Sequence, residues 1–349
     1  MMWGMTALYE HRYFSKRRIR GGFVMFAVTI RYYALLSVLP LLLTVCLPDG
    51  HAEEDSGSAT QKKADQQSLT IGIQLAKEAQ QIQSSVEYPK YKGDQGILVA
   101  EGDSWFDYPL FTDVLEDLKN RHQYRIESVA HHGDTLESMV YNPSQLARLS
   151  VALKRLKDKS DPPRAILLSA GGNDLAGPEF LMLLNHARSG LPPLSAPMLS
   201  ELIDIRLRAA YISFLQAVTI LEKNQFSTEI PILIHGYSYP VPDGRGYLGG
   251  FWILPGPWLK PSFDQKGHGA LKDNTDQMKV ILDKFNAMLV TLPNVPGLKH
   301  VRYVKVAGLL KNDLANYKDD WDNELHPSKD GFRIVAKAFN NVIQTIPKP

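Results

Sequence analysis

The sequence predicts an α/β domain built on a largely parallel sheet, and three observations carry that expectation. Beyond residue 90, short runs rich in Ile, Leu and Val alternate with amphipathic stretches. Each run is bounded by polar, Gly or Pro residues, as strands buried on both faces are. The chain's 349 residues are 44% hydrophobic and 22% charged, a globular composition that supplies a core for one large domain or two small ones.

Taken in order, the candidate strands are residues 96–100, 124–129, 164–169, 230–235 and 301–306. Between residues 274 and 290, Met278, Ile281, Leu282, Phe285, Met288 and Leu289 recur at helical spacing. Phe332, Val335, Phe339 and Val342 do the same near the C-terminus, so a helix closes the domain. Two stretches exceed what plain strand-to-helix connections need. Residues 176–228 carry helical runs around 181–186 and 199–221, separated by Pro192, Pro193 and Pro197. Residues 237–273 are loop-like and hold Tyr237, Tyr239, Tyr247, Phe251, Trp252, Trp258 and Phe263. That aromatic density argues against disorder and suits stacking on sugar rings, an acyl-chain groove, or plain packing. No internal repeat and no second domain boundary follows residue 90.

The first 52 residues have a different character, with six basic and two acidic side chains. From Tyr32 to Leu47 there is no charge, and the run of 16 residues is interrupted by Pro40. It is short for a bilayer core, which needs roughly 20 residues. A basic start, an apolar middle and small residues up to Ala52 make a secretory signal cleaved after that alanine. Met25 offers a tidier start for it than Met1. Two alternatives stand beside it: Leu43-Thr44-Val45-Cys46 as a lipoprotein box with Cys46 lipidated, or an uncleaved membrane anchor. All three send the rest of the chain to a periplasmic or extracellular location, with membrane contact only through this segment. Residues 53–90 read as a polar linker, over 53–69, and a helix; residues 91–349 form the domain, with insertions at 176–228 and 237–273.

Composition excludes several functions. After residue 52 there are 33 basic against 35 acidic side chains. Without clustered excess Lys and Arg, nucleic acid is excluded as the main partner. A single cysteine excludes a disulfide framework and a cysteine-based zinc site. Neither a phosphate-binding loop nor a dinucleotide fingerprint is present, so no cofactor is expected.

The residues that carry chemistry stand at strand ends. The first strand runs into Gly102-Asp103-Ser104, placing a serine in the crevice where open α/β sheets bind ligands. Alone, such a serine is more often a helix N-cap. The second strand runs into His131-His132-Gly133-Asp134-Thr135, the third into Gly171-Gly172-Asn173-Asp174, and Glu324-Leu325-His326-Pro327 precedes the last helix. A hydroxyl nucleophile needs a base within hydrogen-bond reach and donors aimed at the developing oxyanion. A histidine, a glycine amide and a carboxamide are available in these segments.

In this order, the four segments resemble the SGNH/GDSL hydrolase superfamily of esterases and lipases. The resemblance implies a flavodoxin-like, three-layer α/β/α sandwich with a mostly parallel five-stranded sheet, and metal-independent hydrolysis of an ester. It implies Ser104 as nucleophile, His326 as base, and an oxyanion hole from the Ser104 and Gly133 amides and the Asn173 side chain. The substrate it implies is a small-molecule, lipid or glycan ester. One departure concerns the acid. The family usually has Asp three residues before the histidine, and here that position is Asn323, flanked by Asp322 and Glu324. Asp322 reaching the ring through a loop shifted by one residue is the preferred reading, Asn323 as a neutral orienter the second, and lost activity the third. Glu324 is expected to point away.

Other residues have plainer expectations. His131 and His132 are adjacent and lack metal-ligand spacing, so no metal is expected. Asp103 and Asp174 read as loop-fixing carboxylates that accept backbone hydrogen bonds. Ser238, in Gly236-Tyr237-Ser238-Tyr239-Pro240, is a near miss for a nucleophile elbow and a poor competitor to Ser104. Two alternatives to an exported ester hydrolase remain: an O-acyltransferase of envelope glycans, and a non-catalytic envelope binding protein of the same fold.

Overall fold

Each of the five apolar runs forms a strand in the computed structural model, which describes residues 13–19, 22–28, 53–82, 95–109, 111–176, 178–249 and 254–349. Two more strands precede them. β1 (Tyr13–Ile19) and β2 (Gly22–Val28) pair as an antiparallel hairpin, with Ile19 opposite Gly22. The apolar run 32–47, Cys46 and the cleavage site at Ala52 lie outside the described residues.

The sheet of the main unit comprises β3 (Ile97–Gly102), β4 (Arg125–Ser128), β5 (Ala165–Ser169), β6 (Ile232–His235) and β7 (Val301–Val304). All pairs are parallel, in the order β4-β3-β5-β6-β7. β3, β5 and β6 are buried along their whole length, whereas the edge strands β4 and β7 are only part-buried. That is why the central three read as unbroken apolar runs.

Strand order decides where the helices go. The chain steps from β3 outward to β4, crosses back over β3 to β5, then continues away to β6 and β7. Right-handed crossovers put helices on opposite faces when the direction of travel reverses. So α2 (Val114–Asn120) covers one face and is joined there by the closing helix α11 (Lys329–Ile343), which packs on it. α3 (Leu136–Tyr141), α4 (Pro143–Asp158), α8 (Arg208–Phe226) and α10 (Leu271–Thr291) cover the other face. The result is the three-layer α/β/α arrangement. Reversal of direction between β3 and β5 opens a crevice at their carboxyl ends, the place where such sheets bind ligands.

The first insertion follows α5 (Gly172–Ala176) and contains α6 (Pro178–Leu183) and α7 (Ala196–Ser200), which runs through a π-helical stretch, Glu201–Leu207, into α8. The second contains a short 3-10 turn, Tyr247–Gly249, and α9 (Lys260–Gln265).

One expectation is corrected. Residues 53–69 are not a linker but the first part of α1 (Glu53–Gln81). Its buried positions, Ser68, Leu69, Gly72, Leu75, Ala76 and Ala79, follow helical spacing. Four of the six are small or polar, so the face carries too little apolar signal to be seen as a period. Small residues let α1 approach α8 closely: a Cβ at Gly72 would lie 2.4 Å from the Ser213 carbonyl oxygen. Ser213 Oγ donates to the Ser68 carbonyl at 2.9 Å, and Arg208 clasps both Asp65 oxygens at 2.9 and 2.8 Å.

Candidate active site

Ser104 follows β3 by two residues, in a turn fixed by its neighbour. The buried Asp103 carboxylate accepts from the Trp105 amide at 3.0 Å, from Ser169 Oγ at 2.7 Å and from the Tyr237 hydroxyl. Burial pushes its carboxyl up to about 6. Ser104 caps no helix, since α2 begins ten residues later with Asp113 as its cap. Its Oγ lies 2.7 Å from His326 Nε2, and both side chains are nearly buried.

The next two strand ends bring the donors. Gly133 has φ +84°, a conformation that favours glycine, and open space stands where a side chain would project. The His131 amide donates to the Gly102 carbonyl at 2.9 Å and the His132 amide to Asp107 Oδ2 at 3.0 Å, which holds this loop beside Ser104. Asn173, in the first turn of α5, donates from Nδ2 to the Asp134 carbonyl at 2.8 Å. An amide nitrogen carries two hydrogens, so the second stays available. Asp174 accepts from the Leu136 and Glu137 amides at 2.7 and 3.3 Å, tying α5 to α3. The paired histidines stack on each other, and His132 Nδ1 meets Asp107 Oδ2 at 2.9 Å. Among the described residues no three metal-ligating side chains converge. Ser238 is fully buried, and its Oγ accepts the Leu310 amide at 3.1 Å.

The group behind His326 is Asn323, and this corrects the preference for Asp322. Asn323 is 1% exposed, and its Oδ1 lies 2.9 Å from His326 Nδ1. The same oxygen accepts the backbone amides of Leu325 and His326, each at 3.0 Å. Asp322 is exposed instead, and its Oδ2 accepts from the Tyr108 hydroxyl at 2.8 Å. Asn323 Nδ2 donates to that hydroxyl at 2.9 Å and to Asp322 Oδ2 at 3.3 Å. The carboxamide is therefore held in one orientation from both ends. Backbone amides can only donate, so the oxygen must face them, and a ring nitrogen facing that oxygen must carry the proton. His326 thus presents an unprotonated Nε2 to Ser104, the tautomer a general base needs. Burial holds the imidazole down to about 3.

Tyr108, four residues past Ser104, is the site residue that sequence reasoning missed. Its ring stacks on His326 with centroids 4.5 Å apart at 21°, and no motif announces it. Glu324 was also underestimated. It points away from the ring as expected, but it is 0% exposed. Its carboxylate accepts the backbone amides of Gly244, Trp258, Leu259 and Lys260 at 2.9, 2.7, 2.8 and 3.0 Å. It pins the aromatic insertion to the loop that carries His326. Glu324→Ala would strand four backbone donors, and we expect it to cost about 3–5 kcal/mol in a chemical-denaturation experiment. A loss below about 1 kcal/mol would show that water replaces the carboxylate.

That insertion walls a cavity of about 260 Å³ beside the serine, in which Tyr247, Leu254, Pro255 and Trp258 face Ser104, Gly133, Asn173 and His326. Phe251 and Trp252 lie outside the described residues. Of the aromatics, Trp258 lines this cavity and meets His326 edge-on, while Tyr237 and Phe263 are packed inside.

No protein-family model matches the chain, and no curated protein does. Among solved structures, the chain is similar to an extracellular lipase from Streptomyces rimosus, at 12% identity and TM-score 0.42 over 70% of this chain and 99% of that one. It is also similar to a catalytic mutant of an acetylxylan esterase from Geobacillus stearothermophilus, at 14% identity and TM-score 0.33 over 73% and 96% of the two chains. A third is the catalytic domain of a peptidoglycan O-acetyltransferase from Streptococcus pneumoniae, at 10% identity and TM-score 0.34 over 74% and 99%. The layout implied by the SGNH/GDSL resemblance, a parallel five-stranded sheet with its four blocks at one end, is the layout found.

Proposed function

We propose that this chain is an exported serine esterase. The observation that carries the reading is the 2.7 Å contact between Ser104 Oγ and an His326 whose tautomer is fixed from behind by Asn323. His326 Nε2 takes the hydroxyl proton as Oγ attacks the acyl carbon of an ester. The negative oxygen that forms is received by the amides of Ser104 and Gly133 and by the second N–H of Asn173. His326 then gives its proton to the alcohol oxygen, the bond from acyl carbon to alkoxy oxygen breaks, and water releases the acyl group by the same steps. Export rests on the basic, then apolar, N-terminal sequence; among the described residues no helix is long and apolar enough to cross a membrane.

The test is a serine-directed fluorophosphonate followed by peptide mass mapping. One adduct, on Ser104, is expected. A folded protein that takes no label would overturn the reading in favour of a binding protein. Free acid released in the presence of an added sugar alcohol separates hydrolysis from acyl transfer.

A further inference from the structure

A second cavity, of about 40 Å³, is also lined by Ser104. Like the larger one it is lined by Ser104, Asn173 and Leu325, so both cavities border the proposed nucleophile. An ester carbon bound by Ser104 carries two substituents, and proton transfer decides which goes where. His326 must reach the alcohol oxygen to protonate it as it leaves, so the alcohol lies on the His326 side. His326 lines the large cavity and not the small one.

We infer that the small cavity receives the acyl group and restricts it to a short, uncharged chain, so that the substrate is a short-acyl ester of a bulky alcohol. This rests on the esterase reading above. A single ordered water occupies on the order of 10–15 Å³ of such space, which leaves room for an acyl group of about two to four carbons. The walls are Leu175, Ala176, Leu259, Met278 and Leu282, with the last two projecting from α10. The polar groups nearby already have partners: Asp103 accepts from Trp105, Ser169 and Tyr237, and Ser238 from Leu310. Among the described residues that line it there is no Lys, Arg or His, and its one carboxylate, Asp103, is already bonded. The cavity of about 260 Å³, with Tyr247, Pro255 and Trp258 along it, accommodates a much larger alcohol.

The test is a series of p-nitrophenyl esters from acetate to octanoate with the full chain and with Leu282→Ala. For the unaltered protein, kcat/KM for acetate should exceed that for octanoate by about 100-fold or more, since one methylene in a tight apolar pocket is worth roughly 10–200-fold. Leu282→Ala should raise hexanoate relative to acetate by about tenfold while fluorophosphonate labelling persists. Met278→Ala is the second variant, should the first fail to fold. Octanoate cleaved as well as acetate, or a hexanoate-to-acetate ratio unmoved in a variant that still labels, would overturn the inference and leave the esterase reading standing. An unaltered protein that cleaves no ester and takes no label would overturn both.

Discussion

Ser104→Ala should abolish ester hydrolysis and fluorophosphonate labelling together, with turnover falling by roughly 10⁶ if Ser104 and His326 act as a unit. The fold should hardly notice. Among the described residues Ser104 Oγ has one hydrogen-bond partner, His326 Nε2, and it faces a cavity from which water can replace it. A loss of about 1 kcal/mol or less is expected in thermal or chemical denaturation. The combination is what discriminates. An inactive but equally stable variant identifies the reacting hydroxyl, whereas an active variant would remove Ser104 from the mechanism, and a large stability loss would make the serine a structural element of the turn.

Asn323→Ala should be the next most damaging change, lowering turnover by about 10²–10⁴, while Asp322→Asn and Tyr108→Phe should cost only a few-fold. Replacing the acid by an amide can cost a serine enzyme about 10⁴, because the amide can turn its nitrogen to the ring and stabilise the wrong tautomer. Here two backbone amides require the Asn323 oxygen to face them, and Tyr108 and Asp322 hold the nitrogen. What an amide cannot supply is charge. With only neutral groups against its ring and burial disfavouring the imidazolium, His326 is held at about 3. A base must be unprotonated to work, so protonation of His326 should not lower kcat/KM until well below about pH 5, and a limb near pH 6 would belong to Asp103, whose carboxyl fixes the Ser104 turn. Exchanging the two side chains, Asp322→Asn with Asn323→Asp, places a carboxylate on Nδ1 without setting two carboxylates side by side. The imidazolium is then favoured, the base's pKa rises, and the acid limb should move to higher pH. Asn323→Ala with near-normal turnover, or an acid limb that does not move in the exchanged protein, would show that Asn323 does not orient the ring.

Much of this was legible because the signals are local. β3, β5 and β6 are buried on both faces and so must be apolar, which makes their runs stand out, and the blocks of Ser104, Gly133 and Asn173 each follow a strand directly. Asn323 shows where residue type misleads and spacing does not. Three residues before the histidine is the distance at which one side-chain oxygen can reach the amides of Leu325 and His326 and the ring nitrogen at once. Asp322, one step earlier, has the preferred chemistry but projects to the other side, onto Tyr108. Tyr108 and Glu324 were not legible because their partners are 214 or 65 and 66 residues away, or are backbone groups that leave no trace in side-chain pattern. α1 escaped for a different reason: four of its six buried residues are Ser68, Gly72, Ala76 and Ala79, and it meets α8 through Ser68 and Gly72, which give closeness rather than apolar area.

Glu324 has a mechanical consequence. Its carboxylate joins Gly244 and the Trp258–Lys260 backbone to the loop bearing His326, so one wall of the alcohol cavity cannot swing outward without breaking four hydrogen bonds to a buried charge. That side of the site is preassembled in the free protein, and an arriving ester meets the base and the Trp258 wall as a single rigid jaw. If the proposed esterase chemistry holds, this wall would select by shape as the ester enters. A change that loosened the clamp would disturb substrate capture and proton transfer together, since the same carboxylate holds the parts that perform both.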